Sequence, residues 1–246
     1  MSAAHFDPQA GGRLRGALML IPVLIWAFGY MFWLVALTLI APGYLRRNAD
    51  SNIRRWGAVI LKMLGIRMEV HGIENLQVAG PRIVLFNHVN VFDLVILSAV
   101  WSKGCSVIYK KEFHRIPLMG RLMVFFDMIP IDRGNRERAV KSLSEASQTA
   151  REQNKKVMVA PEGTRSHDGR LGTFKRGPFH LAMESGAPVV PFIMRGLETL
   201  VPGLGRPPRT GVVRVDILDA LPTDGWNRKS LDAHVGEVRE LSLIHI

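Results

Sequence analysis

The sequence predicts an α/β fold that carries a membrane-embedded helical segment at its N-terminal end. Two observations lead to this prediction: short β-prone runs alternate with helical patterns over most of the chain, and a long uncharged apolar run precedes them. Strands that alternate with helices are typical of a sheet covered by helices. The runs that predict strands are Met68 to His71, Ile83 to Phe86, Ser106 to Tyr109, Met128 to Ile131, Val157 to Ala160, Val189 to Met194 and Val212 to Leu218. An apolar stripe over Arg136 to Gln153 gives the clearest helical pattern between them.

The apolar run from Ala17 to Ala41 contains no charged residue and is rich in Leu, Ile, Trp and Phe. As one helix it would measure about 37 Å, which exceeds the roughly 30 Å hydrocarbon core of a bilayer. The run is also much longer than the apolar part of a cleaved signal peptide. We therefore predict that it anchors the protein in a membrane. The flanking arginines are Arg13 and Arg15 before the run and Arg46, Arg47, Arg54 and Arg55 after it. Their excess on the later side places the rest of the chain on the cytoplasmic face.

The next segment, from Ile53 to Ile66, repeats apolar residues at helical spacing with basic residues between them. Two interpretations fit this pattern. The segment is either a helix that lies in the membrane interface or an ordinary amphipathic helix that packs on the folded body. Both predict a helix, and they differ in what covers its apolar stripe.

Composition and charge narrow the classes of partner. A chain of 246 residues with 48% apolar composition can form one sizeable domain with a real core. The formal net charge of +11 and the isoelectric point near 10.4 predict phosphate-bearing partners. The apolar anchor favours membrane lipid over nucleic acid among them. The single cysteine, Cys105, excludes an intrachain disulfide and a cysteine-based zinc site, and we predict no metal site.

A histidine and an aspartate five positions apart, His88 and Asp93, stand where a predicted strand gives way to a predicted helix. On one continuous helix the two side chains would be about 140° apart and could not meet. If the helix begins near Asn90, the Asp93 carboxylate lies in its first turn and can reach back to the imidazole. A carboxylate on one ring nitrogen fixes the tautomer and leaves the other nitrogen free to accept a proton. The alternative is that Asn90 and Asp93 form a capping box and serve the helix N-terminus only.

A second polar group follows the predicted strand that ends at Ala160. It contains Glu162, Gly163, Thr164 and Arg165, and Lys175 lies a short distance beyond it. Gly163 would let backbone approach a ligand closely, and an arginine beside a glycine at a strand end suits phosphate. The alternative for Glu162 and Arg165 is an ion pair on the surface.

A further arginine, Arg133, follows the predicted strand that ends at Ile131. Its guanidinium would meet a phosphate in the same bidentate way as that of Arg165. The alternative is an ion pair with Asp132 or Glu137.

These blocks occur in a recognisable order. His-x4-Asp is followed by Pro117 and Gly120, by Ile-Asp-Arg ending at Arg133, by Glu-Gly-Thr-Arg-Ser starting at Glu162, and by Pro-Val-Val-Pro-Phe ending at Phe192. In this order and spacing they resemble the glycerolipid acyltransferase family, most closely the 1-acylglycerol-3-phosphate (lysophosphatidate) acyltransferases. The resemblance covers about half the chain. Val89 and Asn90 stand where many members have Gln-Ser, and Ala160 where many have Phe, so the resemblance leaves the acyl acceptor open.

The resemblance implies a mixed sheet flanked by helices and an activity. The enzyme would move a fatty acyl group from acyl-CoA or acyl carrier protein to the sn-2 hydroxyl of lysophosphatidate, with no cofactor. It implies that His88 is the base and Asp93 its partner, and that Arg133, Glu162, Gly163, Thr164, Arg165 and Lys175 bind or enclose the substrate. Another lyso-lipid acceptor (a lyso-ornithine lipid, a lysophospholipid or glycerol-3-phosphate) is the alternative, and a non-enzymatic basic membrane-binding module is a third interpretation.

The chain accordingly divides into three predicted parts: membrane-anchoring helices over residues 1–66, an acyltransferase domain over 67–240, and a tail over 241–246. The tail is apolar and has no stop signal, so we interpret it as foreign to the domain. The implied location is the cytoplasmic face of a bacterial inner membrane, with Ala17 to Ala41 as the anchor.

Overall fold

The computed structural model describes residues 11–132, 134–164, 171–203 and 206–246. Its centre is a seven-stranded sheet in the order β1-β7-β6-β2-β5-β3-β4. The strands are β1 (Ile66–His71), β2 (Arg82–Phe86), β3 (Cys105–Lys110), β4 (Ile129–Ile131), β5 (Lys156–Val159), β6 (Val189–Arg195) and β7 (Gly211–Ile217). Every pairing is parallel except that of β6 with β7, which is antiparallel. The sheet is therefore mixed, as the fold prediction stated, and each predicted strand is present.

Ten α-helices within the described residues surround this sheet. They are α1 (Leu14–Ile40), α2 (Pro42–Arg47), α3 (Ala49–Leu64), α4 (Ile73–Gln77), α5 (Asp93–Ala99), α6 (Met119–Phe125), α7 (Arg136–Glu152), α8 (Gly177–Ser185), α9 (Leu197–Leu200) and α10 (Leu231–Ile244). A short 3-10 helix, Lys111–Arg115, links β3 to α6. The sequence patterns predicted α1, α3, α5 and α7 but not α8 or α10. The predicted tail begins inside α10, where Ser242 is buried.

Alternating residues of the central strand β2 pack into the two hydrophobic cores on opposite faces of the sheet. Val84 and Phe86 belong to a core covered by α3 and α5, whereas Ile83 and Leu85 belong to a core covered by α7, α8 and α10. This alternation follows from the period of two along a strand. Because β2 is buried on both faces, its sequence is a continuous apolar run rather than an alternating one.

The apolar helix α1 is long enough and uncharged enough to cross a bilayer, and only 22% of its most apolar window is buried in the protein. One side of it packs on the body: the Tyr30 hydroxyl donates to Asn52 Oδ1 at 2.8 Å, and Arg121 Nε donates to Thr38 Oγ1 at 3.0 Å. Its other side exposes large apolar residues along its length, including Leu14, Leu18, Ile21, Ile25, Phe28, Phe32, Leu39 and Ile40. Such a bare apolar face fits a helix that contacts lipid.

The amphipathic segment forms α3, and its apolar stripe is covered by protein. Ile60 and Leu64 are buried, and the helix lies so close to α5 that a Cβ on Gly57 would sit 2.5 Å from the Val95 carbonyl oxygen. Of the two interpretations of this segment, the helix packed on the folded body therefore fits the apolar face of α3.

Candidate active site

The candidate site lies where the parallel strands β2, β5 and β6 end, here called the carboxyl edge of the sheet. His88 follows β2, Glu162 follows β5, and Arg195 is the last residue of β6. Because β2 pairs with β5 on one side and with β6 on the other, the segments that leave these strands are neighbours. In open α/β sheets this edge is where ligands bind.

His88 and Asp93 form the pair that their spacing predicts. Asp93 is the first residue of α5, and its Oδ2 lies 2.5 Å from His88 Nδ1. No described residue hydrogen-bonds the other ring nitrogen, Nε2, and the imidazole is 27% exposed while the carboxylate is 4% exposed. The carboxylate is thus held inside the protein, and the free nitrogen of the ring remains available to a substrate.

The two interpretations of Asp93 describe two different oxygens of one carboxylate. Oδ2 meets His88, while Oδ1 accepts the Asn90 backbone N–H at 3.0 Å. Asn90 Oδ1 in turn accepts the Phe92 N–H at 2.8 Å, which closes the turn that begins α5. Helix capping and histidine orientation therefore coexist at this residue.

Burial raises the pKa of the Asp93 carboxyl above its ordinary value, and the hydrogen bonds from His88 and from the Asn90 amide oppose that shift. The physical reason is that Asp93 is 3% exposed, and burial penalises a charge that has left water. Its protonation is consequently sensitive to its two partners.

Glu162 ties the histidine loop to the segment before α8. Its Oε1 accepts the His88 backbone N–H at 2.8 Å, and its Oε2 accepts the Gly172 N–H at 2.7 Å. A Cβ on Gly172 would stand 2.8 Å from Oε2, so a side chain there would displace the carboxylate. Glu162 is 5% exposed and both of its oxygens are engaged by backbone, so in this structure it positions the His88 loop.

Asn87 fixes the same loop from the other side. Its side-chain amide pairs with the backbone of β6: Nδ2 donates to the Met194 carbonyl at 2.9 Å, and Oδ1 accepts the Met194 N–H at 2.7 Å. The side chain thereby extends the sheet by one pair of hydrogen bonds beyond the end of β2. The sequence patterns assigned no role to Asn87 or Gly172. Asn87 could have been noticed, because it is a polar residue that directly follows a buried strand.

Of the remaining predicted site residues, three lie in the described part of the chain and two lie outside it. Gly163 adopts φ +75°, and a Cβ there would contact Lys175 Cγ at 3.6 Å. The Lys175 N–H donates to the Pro161 carbonyl at 2.7 Å, and the side chains of Lys175 and Thr164 are exposed. The structure thus brings these three residues together beside Glu162. Arg133 and Arg165 lie outside the described residues.

Arg195 adds a cation at this edge that sequence reasoning did not single out. Its Nη2 donates to Asp216 Oδ2 at 2.6 Å, and Arg214 Nε lies 3.0 Å from Oδ1 of the same carboxylate. Because β7 runs antiparallel to β6, this pair joins the site to the edge of the sheet that β7 and β1 form. Among the residues that the structure describes, no group of three His, Cys, Asp or Glu side chains could hold a metal ion.

An apolar cavity of about 100 Å³ lies between α1, α3, α6 and the body, beside the helix that Asp93 begins. The residues around it are almost all apolar, and four of them are methionines. The lining residues are Met31, Leu34, Ile53, Trp56, Leu94, Ser98, Trp101, Val107, Tyr109, Met119, Leu122, Met123, Phe126 and Met128. Methionine side chains adapt readily to a guest because they are unbranched, with three rotatable bonds. The cavity is suited to a hydrocarbon chain.

Comparison with known proteins points to one family. The family model described as Acyltransferase matches residues 67–195. The chain is 34% identical over 165 residues to a Caenorhabditis elegans protein whose name places it with the 1-acyl-sn-glycerol-3-phosphate acyltransferases; the match covers 67% of this chain and 58% of that protein. It is 32% identical over 217 residues to the human 1-acyl-sn-glycerol-3-phosphate acyltransferase alpha, covering 87% and 77% of the two chains.

Among solved structures, the crystal structure of the 1-acyl-sn-glycerophosphate acyltransferase of Thermotoga maritima superposes with a TM-score of 0.64 at 23% identity. The superposition covers 91% of this chain and 96% of that one. The two proteins therefore share a fold that includes the mixed sheet and the helices around it.

Proposed function

This chain belongs to the acyltransferase family, and we propose that it moves a fatty acyl group from a thioester to the sn-2 hydroxyl of lysophosphatidate, which forms phosphatidate. The resemblance predicted from the ordered sequence blocks is confirmed by the family match over residues 67–195 and by the 32% identity to the human relative. The observation that supports this activity most directly is the 2.5 Å contact of Asp93 with His88 Nδ1 in a ring whose Nε2 has no partner among the described residues.

In the proposed reaction His88 acts as the general base. The acceptor hydroxyl is neutral and becomes a good nucleophile only as its proton leaves, and Nε2 of His88 takes that proton. Asp93 holds the ring in the tautomer with the proton on Nδ1 and stabilises the imidazolium that forms. Its burial makes this interaction strong, because charges attract more strongly where water is excluded.

The acyl group passes directly from sulfur to oxygen. The acceptor oxygen forms a bond to the thioester carbon, the carbon–sulfur bond breaks, and the thiolate of CoA or of acyl carrier protein takes the proton back from His88. No serine or cysteine occupies a nucleophile elbow in the sequence, so the proposal contains no acyl-enzyme. The amides of His88 and Asn90 donate to Glu162 and Asp93.

We assign the acceptor phosphate to cations at the carboxyl edge. Arg133 and Arg165 follow strands that end there, and their planar guanidinium groups suit a phosphate. Lys175 and Thr164 lie beside Gly163 and are exposed, so they can add donors to the same anion. The net charge of +11 supports an anionic acceptor over a neutral one.

The acyl chain is assigned to the apolar cavity beside α5. Leu94, one residue after Asp93, lines it together with Met31 of α1 and Met123 of α6. A chain held there would enter from the side of α1, whose outer face is apolar and exposed. We accordingly propose that α1 sits in the cytoplasmic leaflet of a bacterial inner membrane and that the lyso-lipid reaches His88 from that leaflet.

A different lyso-lipid is the alternative acceptor. The reason is that Val89 and Asn90, directly after the base, stand where many relatives have Gln-Ser. Asn90 Nδ2 donates to the Val201 carbonyl at 2.9 Å and so fixes the segment that follows α9 beside the site. Another lyso-lipid, such as a lyso-ornithine lipid, would use the same His88 and Asp93 with a different head-group contact.

The test is a matrix of donors and acceptors with the purified protein in neutral detergent. Free thiol is measured as acyl-CoA or acyl carrier protein is consumed, and the product lipid is identified by mass spectrometry. The proposal requires thiol release that depends on lysophosphatidate and yields phosphatidate. Thiol release that depends only on another lyso-lipid would replace the acceptor, and no transfer to any hydroxyl acceptor would overturn the activity.

A further inference from the structure

A second cavity, of about 620 Å³, lies at the opposite edge of the sheet, where β2 and β5 begin. We call this side the amino edge. Volumes of about 300 to 1,000 Å³ are typical of small-molecule sites. The register pairs Arg82 with Lys156 at this edge. Six residues of chain separate Arg82 from His88, or roughly 20 Å at about 3.3 Å per residue of strand, so the cavity is remote from the base.

Lys156, the first residue of β5, lines this cavity and is 5% exposed. Its Nζ lies 3.1 Å from the Lys103 carbonyl oxygen and 3.5 Å from Ser102 Oγ. No carboxylate among the described residues lies within 4.0 Å of this ammonium group, so two neutral acceptors face a full charge. Burial lowers the pKa of Lys156, as expected for a cation removed from water, and Cys105 and Asp50 oppose that shift without an ion pair within 4.0 Å.

The surroundings of Lys156 are cationic. Lys103 and Arg54 also line the cavity, and Arg82 lies close enough to oppose the charge of Lys156. Arg82 Nε is itself buried and has no hydrogen-bond partner among the described residues. Asp50, the acidic residue in the first turn of α3, accepts the Trp101 Nε1–H at 3.1 Å, and its charge acts on Lys156 from beyond ion-pair distance. This end of the cavity therefore favours an anion.

Apart from Gln77 and Ser102, the rest of the cavity wall is apolar. It is formed by Val70 of β1, by Ile73 of α4 and by Val100 and Trp101 at the end of α5. A small inorganic anion would leave this wall uncovered, whereas a hydrocarbon chain would bury it. The cavity thus joins a buried cation to an apolar channel, which is the complement of an amphiphile.

We propose that the cavity at the amino edge binds an amphiphilic anion, with its carboxylate or phosphate on Lys156 and its hydrocarbon chain along Val70, Ile73 and Trp101. Such a ligand places an anion in direct contact with Lys156, where the described residues place none, and it covers the apolar wall at the same time. The site is separate from His88, and the proposal does not depend on the identity of the acyl acceptor.

Trp101 lies in this wall and also in the wall of the apolar cavity beside α5, so the part of its quenching that depends on Lys156 measures the proposed site. In a variant that keeps only this tryptophan (Trp26→Phe, Trp33→Phe, Trp56→Phe, Trp226→Phe), the full chain in neutral detergent is titrated with stearate that carries bromine atoms at mid-chain. Bromine quenches tryptophan fluorescence at contact. We expect saturable quenching, and at least tenfold weaker binding once Lys156→Met is added.

The matched control for Lys156→Met is Lys155→Met. Lys155 is the preceding residue, its Nζ lies 3.9 Å from Asp127, and it does not line this cavity. Binding should be unchanged in Lys155→Met. Quenching that Lys156→Met does not reduce is assigned to the apolar cavity beside α5, which Trp101 also lines. Unweakened binding in Lys156→Met would overturn the proposal.

The neutral methyl ester of the same brominated acid keeps the test decisive if Lys156→Met fails to fold. We expect the ester to bind at least tenfold more weakly than the acid. Equal quenching by acid and ester would overturn the role of the charge. Displacement of the brominated acid by inorganic phosphate as readily as by unlabelled stearate would overturn the role of the chain.

Discussion

Buried charged groups at the two ends of β2 and β5 differ in the partners that surround them. At the carboxyl edge, Asp93 and Glu162 are each at most 5% exposed, and each has both carboxylate oxygens occupied. At the amino edge, Lys156 is equally buried but faces one carbonyl and one hydroxyl oxygen. A buried charge is tolerated when its partners are in place. The buried charges of the first end have their partners in place, whereas no carboxylate of the described residues contacts the ammonium group of the second.

At the carboxyl edge, His88 Nε2 has no hydrogen-bond partner among the described residues. Three side chains fix the His88 ring and the loop that carries it, namely those of Asp93, Glu162 and Asn87. Chemistry at this end should therefore fail when any of these links is cut, and the loss should follow the closeness of the link to Nε2. Substitutions at the amino edge should leave acyl transfer intact.

The largest effect is expected for His88→Ala. Loss of the general base should lower kcat/KM for acyl transfer by about 10⁴-fold, the upper end of what general base catalysis contributes. The measurement is thiol release with lysophosphatidate, with folding followed by circular dichroism. His71→Ala is the matched control, because His71 is an exposed histidine at the end of β1. Near-normal turnover of a folded His88→Ala variant would contradict the role of the ring.

Asp93→Asn should follow, with a loss of about 10²- to 10³-fold. The asparagine oxygen can still accept the Asn90 N–H, but its amide would donate to His88 Nδ1 and place the ring proton on Nε2, where no proton can be accepted. The double variant His88→Ala, Asp93→Asn should be about as impaired as His88→Ala alone, since the two residues act as a unit. Additive losses would show that Asp93 acts apart from His88.

The raised pKa of Asp93 predicts opposite pH dependences for activity and stability. Activity requires the carboxylate, so kcat/KM should fall as the pH drops through the raised pKa. The folded state holds this proton more tightly than the unfolded chain does. The Asp93 contribution to the free energy of unfolding should therefore be full below the ordinary aspartate pKa of 3.8 and should be lost as the pH rises through the raised pKa. Denaturant titrations across this range should show a slope that Asp93→Asn removes. An identical slope in that variant would contradict the assignment.

A smaller loss is expected for Glu162→Gln. Glutamine offers one oxygen where the two backbone N–H groups of His88 and Gly172 each need an acceptor, so one of them loses its partner. That costs about 1 to 3 kcal/mol of stability and loosens the His88 loop. The measurements are urea unfolding and the separate values of kcat and KM, with Glu145→Gln on the exposed face of α7 as the control. Unchanged stability together with a raised KM would instead indicate direct contact of Glu162 with substrate.

The smallest effect on activity is expected for Lys156→Met. Removal of a buried cation without a counterion should leave acyl transfer unchanged and the unfolding temperature equal or higher. Thermal unfolding and thiol release in the absence of added amphiphile measure both quantities. A loss of acyl transfer comparable to that of Glu162→Gln would show that the two ends of the strands are not independent.

Local patterns predicted much of the fold and the centre of the site. Seven β-prone runs became seven strands. The five-residue spacing of His88 and Asp93 predicted a helix that begins near Asn90, and α5 begins three residues later, with Asp93 as its first residue. These features depend on neighbouring residues, whose periodicity and turn geometry are visible in the chain.

Contacts between distant segments could not be predicted in the same way. The partners of Glu162 are the His88 amide from another strand end and the Gly172 amide ten positions later. The antiparallel direction of β7 and the burial of the apolar stripe of α3 under α5 depend equally on distant neighbours. Loop closure and packing decide such contacts.

The long apolar N-terminal helix, the alternation of strands and helices and a histidine beside a carboxylate could all be predicted from the chain, because each is a local property. Which polar groups have partners depends on segments that meet only in the fold. Both oxygens of Asp93 and of Glu162 accept hydrogen bonds there, and Lys156 is buried beside an apolar wall with no carboxylate of the described residues in contact. Burial and pairing arise only when distant segments pack together. In an unfolded chain water would solvate all of these charges, so none of them would need a protein partner.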